Sequence, residues 1–227
     1  MSSAIRRLGL VHLPANALLL WLGYEWLGVG ESTGMRLAWS VIDALAIVAL
    51  ACWLYGATFV FFRTPAEERK LNEAFRTALR HLAPLVLMAL VVLAVYGGLE
   101  WAKGAVKLRK PAAFLAGLWI LRWIVLPVGL LPMFSGIAAR GWRGIGEFTW
   151  RWNWRAWLAV PALLALGLML PPVVIDWVPR AGGFAMEMVS FSLRAGFAYL
   201  LFVGAWVALA AFGARAVNSP RAAPHDR

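Results

Sequence analysis

The chain has 227 residues, 62% of them hydrophobic and 15% charged, and its 22 Lys and Arg against 11 Asp and Glu give a net charge of +11. Soluble domains are about one-quarter charged and about one-half apolar, so this composition excludes a water-soluble globule. The basic residues fall in short clusters between apolar runs instead of along one face, which excludes a nucleic-acid partner, and the lone Cys52 excludes internal disulfides and thiolate metal clusters.

Six apolar runs, at 8–29, 37–62, 82–102, 112–139, 157–178 and 193–213, are each long enough to cross a hydrocarbon layer of about 30 Å as a helix. Backbone left unpaired in lipid is costly, and none of the runs alternates as a barrel strand does, so the expected fold class is all-α with about six transmembrane helices. The first run follows Arg6 and Arg7 and ends in Tyr24-Glu25-Trp26-Leu27 without a small-x-small cleavage site, which reads as a retained span instead of a signal peptide.

After the second run, Thr64-Pro65-Ala66-Glu67 reads as a helix cap, a first-turn proline and a capping-box acid. Leu71, Phe75, Ala78, Leu79 and Leu82 then recur at helical spacing, predicting an amphipathic helix on the cytoplasmic surface that runs into the third span. Pro127 and Pro132 are expected to kink the fourth span, and Pro171-Pro172 to break the fifth near its outer end. Between those spans Trp150, Trp152 and Trp154 interleave with Arg151 and Arg155. Indole beside guanidinium suits the headgroup zone, either as a specific lipid contact or as an ordinary aromatic belt.

Fourteen Lys and Arg lie at the amino end, the second and fourth loops and the tail, against six in the other loops, so both termini are expected in the cytoplasm. A period runs through the chain. Glu25-Trp26, Glu100-Trp101 and Asp176-Trp177 close the odd spans at spacings of 75 and 76, and Arg63, Arg140 and Arg215 close the even spans at 77 and 75. The chain therefore reads as one membrane domain, 1–227, of three repeated helical hairpins at about 1–63, 64–140 and 141–215 with a polar tail at 216–227. Mitochondrial carriers also have three two-span repeats, but the one Pro-x-acid-x-x-basic string here, starting at Pro65, follows an even span and occurs once.

Each even span carries one ionisable residue 18 to 21 positions before its closing arginine: Asp43, Arg122 and Arg194. A charge at such depth costs about 2.5 to 3.5 kcal/mol on insertion scales, so Asp43 is expected to face the interior and pair with Arg122 or Arg194. The pair is either the heart of a polar site between hairpins or purely structural, with the spare arginine snorkelling outward. Likewise Glu25, Glu100 and Asp176 form either an acidic ring at the outer mouth or simple helix-end acids beside belt tryptophans.

The segment 73–84, Glu73-Ala74-Phe75-Arg76-Thr77-Ala78-Leu79-Arg80-His81-Leu82-Ala83-Pro84, passes from an amphipathic surface helix into a long apolar one. In this it resembles bacterial six-span membrane proteins of the YciC and glycerophosphodiesterase-membrane-domain type. The resemblance implies a bacterial inner membrane and a lipid- or envelope-related role, and it transfers no functional residue.

No Gly-x-Ser-x-Gly, His-Glu-x-x-His or P-loop spacing occurs, and His12, His81 and His225 are too scattered for a metal site. The expectation is a non-enzymatic protein without catalytic residues, cofactor or metal, acting as a scaffold or accessory to lipid, envelope or transport machinery. Its partners would be membrane lipids and other membrane proteins. The alternative is a small transporter or channel with its path between the hairpins.

Overall fold

The computed structural model describes residues 3–29, 33–105, 112–149, 154–178 and 183–218, and every regular element among them is helical. In chain order these are α1 (Ser3–Leu27), α2 (Gly34–Arg63), a short 3-10 turn (Ala66–Glu68), α3 (Leu71–Arg80) and α4 (Leu82–Ala105). Next, α5 (Ala112–Ile120) passes through a π-helical turn (Leu121–Val125) into α6 (Leu126–Arg140), followed by a 3-10 segment (Gly141–Glu147). Then α7 (Trp154–Leu164) passes through a second π turn (Ala165–Met169) into α8 (Leu170–Asp176), and α9 (Phe184–Asn218) ends the described chain.

Among the described residues five rods, α2, α4, α5–α6, α7–α8 and α9, are long and apolar enough to cross a membrane. The chain is an all-α polytopic membrane protein. The first predicted span, α1, is 25 residues long and so rises about 37 Å, but His12, Asn16 and its two arginines lower its apolar character.

Burial is concentrated at one end of the bundle. In α2 the buried residues apart from Ser40 all lie between Leu54 and Phe62, and in the α5–α6 rod α5 has none while α6 has eight between Val128 and Ala138. In α9 the first buried position is Ala198. The helices thus pack tightly near the basic loops and present exposed apolar side chains over the opposite half, among them Trp39, Leu93, Trp119 and Phe191. One core unites Phe59, Leu85, Met133 and Ile137, a second Leu8, Phe61, Phe62, Ala74 and Ala214, and a third Val128, Val160, Leu164 and Leu209.

Several local expectations need correction. Thr64 does not start a helix; it ends α2, with its N–H and hydroxyl both donating to the Val60 carbonyl. The turn after it is 3-10, and α3 begins only at Leu71 with no side-chain cap. The buried stripe of α3 is Ala74 and Ala78 flanked by Leu71 and Phe75, whereas Leu79 is exposed. The reason is α2. Ala78 seats against Gly56, Trp53 Nε1 donates to the Phe75 carbonyl at 3.0 Å, and the Trp53 and Phe75 rings meet edge to face at 5.4 Å. The helix α9 also starts nine residues before the predicted sixth span, at Phe184.

The prolines act through the π turns. Leu126 N–H donates back to Leu121 O, five residues away, and Pro127 has no N–H to give. The Arg122 carbonyl therefore loses its helical donor and takes one from elsewhere: Tyr96 Oη of α4, at 2.8 Å. The second π turn precedes Pro171 in the same way, with Leu170 N–H bonded to Ala165 O.

Candidate functional site

Between the helices a half-open cavity of about 690 Å³ runs from the packed core into the unpacked half of the bundle. All the long rods and α1 contribute to its wall. On α2 the lining runs from Ile47 through Ala51 and Tyr55 to Phe59, about 18 Å of helix rise. Leu85, Ala89, Leu93 and Tyr96 line it from α4, Arg122, Pro127 and Phe134 from the α5–α6 rod, Leu164 and Leu168 from α7 and its π turn, and Phe202, Trp206 and Ala210 from α9. The floor is the first core cluster, where Phe59 and Leu85 pack on Met133 and Ile137. Leu20 and Leu93, each about half exposed, stand at the rim.

Polar groups reach the cavity at two levels. Lower down, α1 turns His12 (0% exposed) and Asn16 (2% exposed) toward α2. His12 Nε2 meets Thr58 Oγ1 at 2.7 Å, Thr58 in turn donates to the Leu54 carbonyl, and Tyr55 Oη donates to Asn16 Oδ1. Asn16 Nδ2 donates to the His12 carbonyl at 2.9 Å, and Tyr199 Oη of α9 donates to the Leu13 carbonyl. These bonds satisfy the polar stripe of α1 within the bundle, leaving an apolar face outward. Sequence reasoning considered His12 only as a metal ligand and passed over Tyr55 and Thr58. The available signal was two polar residues one turn apart in an apolar helix, which need hydrogen-bonding partners in a membrane.

At the upper level sits Arg122. Its guanidinium lies 5.7 Å from the Tyr96 ring and 5.1 Å from the Trp123 ring, and Nη1 donates to Glu100, which Lys103 also approaches at 3.4 Å. Arg122 Nε is buried and has no acceptor among the described residues, and neither has the indole Nε1 of Trp206. Both groups are donors.

The predicted charge triad is not brought together. Asp43 lies on an exposed face of α2, and no ion pair among the described residues joins it to Arg122 or Arg194. Arg194 instead donates to the carbonyls of Ile175 and Ser190, beside a shallow apolar hollow formed with Val173, Trp177 and Phe197. Each arginine thus turns to the end of the preceding helix in its own hairpin: Arg122 to Glu100, Arg194 to the residue before Asp176. Of the acidic trio, Glu100 is engaged in this way, whereas Glu25 and Asp176 are exposed near the ends of α1 and α8. Trp150, Arg151 and Trp152 lie outside the described residues. Trp154 is 66% exposed, with the Arg155 guanidinium over its ring at 5.8 Å.

A second charged centre, unforeseen from sequence, closes the packed end. Glu147 accepts two hydrogen bonds from Arg63 of α2, at 3.0 and 3.1 Å, and a further one from Arg140 of α6. The 3-10 segment that carries it folds back on α6 through glycine. A Cβ at Gly144 would fall 2.0 Å from the Gly136 carbonyl carbon, and Gly141 turns the chain at φ 62° beside the His81 ring. The signal available was an acid spaced among glycines in an otherwise basic loop.

Searched against family models, curated proteins and solved structures, the chain matches none.

Proposed function

We propose that the chain is a non-enzymatic membrane protein of six spans, arranged as three repeated hairpins in a bacterial inner membrane with both termini cytoplasmic. Its role is to hold one membrane amphiphile in the central cavity as an accessory of lipid, envelope or transport machinery. One observation carries this reading: a cavity of about 690 Å³, walled almost wholly by hydrocarbon and bounded by every long helix. A hollow of that size and lining fits the apolar part of a lipid, and the exposed Leu20 and Leu93 at its rim offer entry from the lipid side.

The test is to purify the full chain in mild detergent, weigh it intact by mass spectrometry and extract what it carries. About one lipid per chain is expected, lost in the cavity-filling variants Ala51→Trp and Ala89→Trp. Equal lipid content in native and filled proteins would refute the reading. A transport path between the hairpins is the second reading, favoured by the proline-associated π turns that flank the cavity, since such turns recur at functional sites. Against it stands the floor, sealed by Phe59, Leu85, Met133 and Ile137. Solute flux in vesicles containing only this protein would favour transport.

A further inference from the structure

We infer that the cavity selects amphiphiles with an anionic oxygen headgroup, a carboxylate or a phosphate, and that Arg122 is the group that recognises it. The inference rests on the lipid-holding reading above and adds the class of ligand. Four observations converge on Arg122.

The first is the state of its donors. A guanidinium presents its N–H groups in a planar fork, with Nε–H and an adjacent Nη–H forming one two-pronged edge. In Arg122 Nη1 is engaged by Glu100, while Nε, buried where the residue lines the cavity, has no acceptor among the described residues. A buried donor left unsatisfied is costly, more so when charged. The second unpaired polar atom of the lining, Trp206 Nε1, is also a donor, so the lining calls for a ligand that supplies acceptors.

The second is restraint. The guanidinium is flanked by the rings of Tyr96 and Trp123, and its own carbonyl is fixed by Tyr96 Oη across the π turn. The backbone irregularity caused by Pro127 and the position of the charge are therefore parts of one arrangement.

The third is charge. Glu100 is shared between Arg122 and Lys103, two cations on one carboxylate, which keeps the mouth of the cavity favourable to an anion. The Glu100 side chain is 44% exposed, so it can turn to Lys103 and release its edge of the guanidinium.

The fourth is placement. Arg122 stands at the unpacked end and the sealed floor of Phe59 and Leu85 at the other, so a headgroup held at Arg122 leaves its chain to run inward along α2 past Ala51 and Tyr55.

The experiment compares three probes of one chain length, a fatty acid, an alkyl phosphate and the neutral fatty alcohol, binding to the purified full chain in nanodiscs. At least one anion should bind about tenfold or more tightly than the alcohol, the scale of a charge-assisted hydrogen-bonded pair. Which anion does so identifies the headgroup as a carboxylate, a phosphate or either. In Arg122→Gln that preference should vanish while alcohol binding stays as in the native chain. In Glu100→Gln, which removes the competing carboxylate, anion binding should tighten severalfold; this variant decides the matter if Arg122→Gln does not fold, and unchanged anion affinity in it would overturn the inference. A native chain that binds all three probes equally, and loses all three in Ala51→Trp, leaves the cavity reading intact and overturns the role of Arg122. Failure of every probe to bind overturns the cavity reading itself.

Discussion

Glu147 shows most clearly how one side chain can close a membrane bundle. Its carboxylate, 9% exposed, meets the closing arginines of two helices, Arg63 and Arg140, which stand 77 residues apart in the sequence. With Arg63 only 15% exposed, removing the carboxylate takes two charge-assisted hydrogen bonds from a mostly buried cation. Glu147→Gln is expected to cost about 3 kcal/mol, read as a fall in thermal unfolding midpoint in detergent, while Lys70→Gln, which breaks the exposed pair with Glu73, should leave the midpoint nearly unchanged. Equal effects would show that the Glu147 centre is solvated and structurally idle. The arginines were legible in the sequence as helix ends. The acid that joins them was not, because nothing in composition reveals that a glycine-rich turn folds back onto its own helix.

Asp43 marks the opposite failure. Asp43, Arg122 and Arg194 were grouped by their similar distance from the closing arginines, and their partners were sought in one another. Consecutive antiparallel helices lie side by side, so a residue 22 or 19 positions away in the same hairpin is nearer than its counterpart in another. In α1 and α2 the same rule offers Asp43 only Glu25, another acid near the end of α1, and Asp43 is exposed. There the contact is made instead by Trp26 Nε1, donating to the Ser40 carbonyl at 2.9 Å.

At the scale of elements, the helices themselves were legible from run length and the α3 amphipathic pattern from its spacing. Their irregularities were only half so. Proline positions pointed to kinks, yet the result is a pair of π turns whose stability depends on another helix. With Leu126 N–H diverted to Leu121 and Pro127 lacking an N–H, Tyr96 supplies the bond that Arg122 O needs. Tyr96→Phe is therefore expected to cost about 1 kcal/mol in the native chain. In a Pro127→Ala background, where a helical N–H becomes available, the same change should cost less, and the double-mutant cycle measures the difference. Additive losses would mean that Tyr96 and Pro127 act independently. A similar reach decides α3: seated on α2 through Gly56 and Trp53, it is part of the packed end as well as a surface helix, and its exposed arginines, Arg76 and Arg80, face away from that seat.

For the whole molecule the open issue is α1, since its polar residues set it apart from the five apolar rods. Length favours a span, at about 37 Å for 25 residues. The polar residues do not oppose it, because His12 and Asn16 are buried and bonded to Thr58 and Tyr55 of α2, and Tyr199 of α9 ties down Leu13. Lipid then meets Leu10, Leu18 and Trp21, all exposed. A helix satisfied in this way crosses as readily as a wholly apolar one, since what a bilayer penalises is a polar group without a partner. Reporter fusions to the amino terminus and after Phe62 and Arg140 should accordingly read cytoplasmic, and fusions after Leu27, Gly104 and Val178 the opposite side. The amino-terminal fusion and the one after Leu27 carry the decision: if both read the same side, α1 lies flat on the membrane and the six-span, three-hairpin arrangement fails. Asn16→Leu and Thr58→Val offer a second check on the same argument. If α1 is held within the bundle by this network, either change should lower stability by about 1 to 3 kcal/mol, through donors and acceptors left unpaired in the bundle interior, without altering the reporter pattern.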